Sequence, residues 1–184
     1  MWYKIMSRMN LGEFDNSWYR PGSRFKLIAW YLVNVFFFKT SFPFPSKFKA
    51  LILTCFGGSV GKSVVIKPRV SIKYPWLLEI GDNSWVGEDV WIDNLANVTI
   101  GNNVCLSQGS FLLTGSHDYK KPSFDLILGE IILEDSVWIG AKSVVCPKVT
   151  CKVGSVLSVS SVATRDLESN KIYQGNPAVA KRLR

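Results

Sequence analysis

Histidine is nearly absent from this sequence. His117, in the segment TGSHDY at 114–119, is the only one among 184 residues. A metal site built from three histidines is thereby excluded, and no metal is expected. The four cysteines, at 55, 105, 146 and 151, contain no CxxC pair. They read as reduced, buried thiols of a cytosolic protein rather than a disulfide or zinc framework. No apolar run is long enough to span a bilayer. The longest, FKLIAWYLVNVFFF at 25–38, would make a helix of about 21 Å against a hydrocarbon core of about 30 Å. It starts late for a signal peptide, and the KTSFPFPS that follows lacks a small-residue cleavage site.

Acidic charge is scarce at both ends. Residues 1–73 carry twelve Lys/Arg against two Asp/Glu, residues 74–170 carry six against twelve, and residues 171–184 carry four against none. The acidic middle argues against a nucleic-acid groove. The 25–38 run is apolar nearly all round, so burial on two sides is expected. Two readings stay open for it. It packs on the main domain or a neighbouring subunit, or, helped by Arg20, Arg24, Lys26 and Lys39, it makes a peripheral contact with a membrane. A second short helix is expected over 46–56, between Pro45 and Gly57-Gly58.

From residue 60 onward the sequence keeps a six-residue period. Val60, Ile66 and Ile72; Ile80, Val86 and Ile92; Ile100, Leu106 and Leu112; then Leu133, Ile139, Val145, Cys151, Leu157 and Ala163 fall on it. Thirteen of these fifteen are Val, Ile or Leu, and small or β-branched residues recur four places later. That period fits neither a helix nor long alternating strands. It fits a parallel β-solenoid of about five coils, each built from three hexapeptides. Cys151 then points inward as a small hydrophobe.

The period slips at three places. Ile72 to Ile80 and Ile92 to Ile100 each take eight residues, and Leu112 to Leu133 takes twenty-one. One full coil separates successive slips, so all three insertions fall on one edge of the prism. The top one, residues 113–131, holds His117, and the rows below add Asp93, Asn94 and Trp76. A long non-repeating loop in a regular solenoid is a candidate site. A neutral imidazole suits removal of a hydroxyl proton near pH 7, so His117 is the candidate general base. Asp118 or a loop carbonyl would orient it, and backbone N–H groups near Gly140 or Gln108-Gly109 would receive an oxyanion.

IGDNSWVGEDVWI, VTIGNNVCLSQGS and VWIGAKSVVCPKVT resemble the hexapeptide-repeat acyltransferases. KPRVSIKYPWLLEIGDNSWVGEDVWIDNLANVTIGNNVCLSQGS, TGSHDY and GNPA resemble, within them, the colanic-acid-type O-acetyltransferases of bacterial polysaccharide clusters. The likeness covers residues 20–184. It implies a mainly β fold, the left-handed parallel β-helix, over 59–168, after an N-terminal helical segment at 1–58. A basic tail with a short C-terminal helix, begun by Asn176-Pro177, is expected over 169–184. It also implies acetyl-CoA as co-substrate, a cytoplasmic homotrimer, and a sugar hydroxyl of a polysaccharide precursor, lipid-linked or nucleotide-linked, as acceptor. His117 would be the base, with Asp93, Asn94 and Trp76 on the acceptor. Ala141, Val159, Thr164, Arg165 and Arg182 would hold the coenzyme. The sequence departs from the family where CKVGSVLSVS replaces a glycine-rich run at 151–160. An amine acceptor, an acyl-carrier-protein donor, or a non-catalytic structural solenoid are the competing readings.

Overall fold

The computed structural model describes residues 8–184; residues 1–7 of the expected N-terminal segment lie outside them. Each hexapeptide forms a strand of two or three residues, and the strands stack in parallel into three faces. The first face stacks Ser59–Val60, Leu78–Ile80, Val98–Ile100, Ile131–Leu133 and Thr150–Cys151. The second stacks Val65–Ile66, Trp85–Val86, Cys105–Leu106, Trp138–Ile139 and Val156–Leu157. The third stacks Ser71–Ile72, Trp91–Asp93, Phe111–Leu113, Val144–Val145 and Val162–Ala163. The result is a left-handed parallel solenoid of five coils.

Side-chain size sets this geometry. Every residue on the six-residue period from Ile66 to Ala163 is buried, Cys151 included, and outside the insertions so is each small or β-branched residue four places after a period position. Burying one such aliphatic side chain is worth about 1.5–3 kcal/mol. Three places after the inward residue the chain turns the corner through positive φ. Ser63, Asn83, Asn103 and Ser136 do so at one corner, and Arg69, Asp89, Lys142 and Ser160 at the next, with φ between 54° and 62°. Short polar residues tolerate this left-handed conformation best, and most of these positions carry Asn, Asp or Ser. Coils also approach closely. A Cβ on Gly140 would lie 2.6 Å from the Val159 nitrogen.

In the upper coils, carbonyls on the period accept from the coil below, as Val86 does from the Lys67 N–H and Ile92 from Lys73. The first coil has none beneath it. Two helices close that edge: α1 (Arg24–Val33), capped by the Ser23 hydroxyl, and α2 (Ser46–Cys55). Trp30 of α1 donates its indole N–H to the Ile72 carbonyl at 2.9 Å, and Lys49 of α2 donates to the Lys67 carbonyl at 2.9 Å and to Ile66 at 3.4 Å. α2 ends where Gly57, at φ 95°, and Gly58 return their N–H groups to Thr54 and Leu53.

Three expectations need correction. The apolar run is not one helix buried on two sides. α1 gives way to a π turn at Asn34–Phe38, and only Trp30 and Phe38 of the run are buried. Cys55 is exposed rather than buried. There is no C-terminal helix. Lys171–Gly175 pairs in parallel with Val156–Leu157 on the second face, and Ala178–Leu183 folds back antiparallel. Asn176 and Pro177 form the turn between them. The topmost coil presents an open strand edge, and pairing satisfies it where a helix would not.

Candidate active site

All three insertions leave the third face and return to the first, so they share one edge. Buried side chains lace them together. Asn94, in the second, accepts from the Lys73 and Tyr74 N–H groups at 3.2 and 3.0 Å and donates to the Tyr74 carbonyl. Thr114, one coil higher, donates its hydroxyl to the Asp93 carbonyl at 2.8 Å and accepts from Ala96. The chain then leaves the prism as a hairpin, with Gly115–His117 antiparallel to Leu126–Leu128 and His117 opposite Leu126.

His117 is half-buried at the end of the first hairpin strand. Its Nδ1 lies 2.8 Å from the Phe124 carbonyl oxygen. A carbonyl only accepts, so in the neutral ring Nδ1 carries the proton and Nε2 presents its lone pair. The Phe124 ring lies flat on the imidazole, 4.2 Å between centroids and 3° between planes. Phe124 achieves this in the left-handed region, at φ 50°. Of the two expected orienting partners the structure supplies the loop carbonyl; Asp118 instead accepts from the Lys120 N–H.

A strap from the N-terminus covers this edge. Asn10 donates its backbone N–H to the Pro122 carbonyl, and the Phe14 ring sits 5.5 Å from the imidazole. Tyr19 donates its hydroxyl to the Leu95 carbonyl at 2.6 Å. Trp76 donates its indole N–H to the Pro21 carbonyl at 2.7 Å, with the Lys26 ammonium over its ring. The strap thus touches the third, second and first insertions in turn. Burial, with the Asp93 charge adding to it, raises the phenol pKa of both Tyr19 and Tyr74, so both stay protonated.

The expected acceptor residues separate on inspection. Asn94 is fully buried and bonded to backbone, and Trp76 clasps the strap; both faces of their chemistry are turned to the chain itself. Asp93 is different. Its Oδ1 lies 3.1 Å from the Lys73 ammonium, and it lines a cavity of about 380 Å³ with Trp30, Tyr31, Asn34, Lys73 and Trp91. The Asn34 Oδ1 is buried there with no hydrogen-bond partner among the described residues. Phe111 covers one face of Trp91, at 4.6 Å, while its lower neighbour on the ladder is the small Ser71.

A second cavity, of about 460 Å³, lies on the edge between the second and third faces. Ala141, Val159 and Arg182 line it, together with Gln108, Ser107 and Trp138. Trp138 donates its indole N–H to the Ser107 hydroxyl at 2.9 Å. The Gly140 and Gly109 N–H groups are taken by the Leu157 and Glu88 carbonyls. Those of Gln108, Ala141 and Val159 bond to nothing among the described residues. One edge thus presents a column of unused donors, the feature a glycine count could not reveal. Arg182 reaches the groove from the terminal hairpin. Thr164 and Arg165 do not line it; they are exposed on the top coil. Phe14, Phe124 and Lys73 were not legible as site residues, because nothing in their spacing ties them to His117 or Asp93. Trp138 carried a signal, being an aromatic at an outward position of the repeat.

No family model matches the chain. It is 37% identical over 166 residues to WcaF of Escherichia coli K12, an acetyltransferase ascribed to colanic acid biosynthesis, covering 90% of this chain and 91% of that protein. It is 30% identical over 122 residues to the galactoside O-acetyltransferase of E. coli K12, covering 65% of this chain and 60% of that one. Among solved structures, a hexapeptide-repeat acetyltransferase of Vibrio cholerae superposes with a TM-score of 0.72 at 25% identity, over 78% of this chain and 83% of that one. A galactoside acetyltransferase in complex with coenzyme A superposes at 0.78 and 24%, over 86% of this chain and 80% of that one.

Proposed function

The chain belongs to the WcaF-like hexapeptide-repeat acetyltransferases and is an acyltransferase with acetyl-CoA as co-substrate; from that membership we propose that it O-acetylates a sugar hydroxyl of a polysaccharide precursor. The observation that carries the proposal is the Nδ1 contact of His117 with the Phe124 carbonyl. It leaves Nε2 as the unprotonated nitrogen, which a general base requires.

The reaction needs no covalent enzyme intermediate. Nε2 takes the proton of the acceptor hydroxyl as its oxygen attacks the thioester carbon. The carbonyl oxygen gains negative charge, and free backbone N–H groups of the groove suit it. The C–S bond then breaks, the imidazolium returns its proton to the departing thiolate, and free coenzyme A and an O-acetyl ester result. Ala141, Val159 and Arg182 would hold the coenzyme, the arginine near its phosphates; Thr164 and Arg165 would reach it only from another side. Asp93, with Asn34 and the open face of Trp91, offers acceptors and an aromatic platform to a sugar ring.

In one chain, His117 and the coenzyme groove stand on different edges of the prism. A second copy set beside the first would join one copy's histidine to the other's groove, which supports a homotrimer. Outward positions of the second and third faces away from the two cavities, Trp85 and Phe111 among them, give such a contact its apolar surface.

Release of free thiol from acetyl-CoA in the presence of saccharide acceptors tests this reading. His117→Ala should lower turnover by about 10²–10⁴, with circular dichroism and sedimentation unchanged. A variant that keeps its rate would overturn the role of His117.

A further inference from the structure

From residue 16 to residue 78 the chain carries ten Lys/Arg and not one Asp or Glu. The structure folds most of that stretch into the strap, α1, α2 and the first coil. Arg20, Arg24, Lys39 and Lys47 are exposed and form no ion pair among the described residues. The same unit exposes large apolar side chains in an ordered way. Phe25, Ile28 and Leu32 follow one face of α1, and Phe36 continues it in the π turn, with Phe25 83% and Phe36 65% exposed. Phe48 and Leu51 do the same on α2. Phe48 packs edge-on against Phe37 at 5.5 Å, which ties the two helices into one surface.

Soluble surfaces seldom show so much contiguous apolar area. No helix among the described residues is long and apolar enough to cross a membrane. An exposed aromatic stripe flanked by basic side chains unpaired among the described residues, with the nearby carboxylates of Glu88, Asp89 and Asp93 already paired to Arg69 and Lys73, is the arrangement of an element that lies in the headgroup region. The charge selects the occupant. A second copy meeting it through the same surface would bring the same positive field to the contact, whereas a bilayer rich in anionic lipid brings the opposite one.

We propose that the surface formed by α1, the π turn and α2 docks the enzyme on an anionic membrane. The basic side chains face lipid phosphates, and Phe25, Ile28 and Phe36 insert among the acyl chains near the surface. Where it bears on substrate, the proposal rests on the function above: it sets the insertion edge beside the bilayer and selects a lipid-linked saccharide as acceptor.

The test is co-sedimentation of the full chain with vesicles of phosphatidylcholine plus phosphatidylglycerol, against phosphatidylcholine alone. Binding should favour the anionic vesicles at least about tenfold and weaken in high salt. The triple variant Phe25→Ser, Ile28→Ser, Phe36→Ser and the triple variant Arg20→Glu, Arg24→Glu, Lys47→Glu should each reduce binding about tenfold or more. Both alter exposed side chains, and circular dichroism verifies their fold. Equal binding by either folded variant overturns the proposal, as does no preference for anionic vesicles. So does a change of oligomeric state in the serine variant without loss of vesicle binding, which would assign the surface to a second copy. Vesicle binding is read without acetyl transfer, so failure of this proposal and failure of the catalytic one are separately visible.

Discussion

Phe124 supports His117 twice: its carbonyl holds Nδ1 at 2.8 Å, and its ring stacks on the imidazole at 4.2 Å. The backbone contact survives truncation of the side chain; the stacking does not. A bulky residue at φ 50° also costs conformational energy that only the surrounding structure offsets. Phe124→Ala should therefore lower kcat by about tenfold, since small misplacement of a catalytic group is costly, and should leave KM for acetyl-CoA unchanged. Steady-state kinetics with thermal melts separates this from unfolding. An unchanged kcat would reduce the stacking to packing.

Gly140 makes a different demand, on the coil spacing. Its absent Cβ would sit 2.6 Å from the backbone nitrogen of Val159, where no flexible side chain can give way. Gly140→Ala must push two coils apart, and overpacking of this kind costs about 1–3 kcal/mol. The same displacement moves the Ala141 and Val159 N–H groups that line the coenzyme groove. A lower midpoint in denaturant and a raised KM for acetyl-CoA should appear together.

The sequence reveals the fold where one physical constraint repeats. An inward apolar residue every six positions, with a small one four places later, specifies the strand, the corner and the stack, so the five coils and the shared insertion edge were countable from Val60 to Ala163. The reach of this pattern ended where contacts depend on chain paths without a period. The strap that brings Phe14 to His117 is held by single contacts to Pro122, Leu95 and Trp76, and no local pattern announces them. The terminal hairpin carries no distinguishing local pattern, because a proline that can open a helix can also sit in a turn. The choice was made by the open strand edge at Val156–Leu157, which only the assembled fold contains.

Asn94 illustrates how the motif and the structure divide. Its side chain accepts from two backbone N–H groups and donates to one carbonyl, all within the insertion below. Asn94→Ala leaves the Tyr74 N–H without an acceptor in a part-buried setting, while the Lys73 N–H keeps the Ile92 carbonyl and the Tyr74 carbonyl keeps the Leu77 N–H. One unsatisfied N–H of this kind costs about 1–3 kcal/mol, and that is the loss expected from the staple. Chemical denaturation measures it. KM for the saccharide at low temperature, where the variant stays folded, should change little; a large rise in KM without loss of stability would return Asn94 to the acceptor site.

Lys49 gives the fold a pH dependence with a definite sign. It is 0% exposed, and its ammonium donates to the Ile66 and Lys67 carbonyls that have no coil beneath them. Burial lowers its pKa below the ordinary 10.5. Between the folded and unfolded values, the unfolded chain holds a proton that the folded chain has released. Stability contributed by Lys49 therefore rises with pH through that window and levels off above 10.5. At neutral pH, Lys49→Met should destabilise by about 1–3 kcal/mol because the two carbonyls lose their donor. Urea unfolding of both proteins from pH 8 upward should show the deficit of the variant growing with pH. A constant difference would mean that Lys49 titrates alike in the folded and unfolded chains.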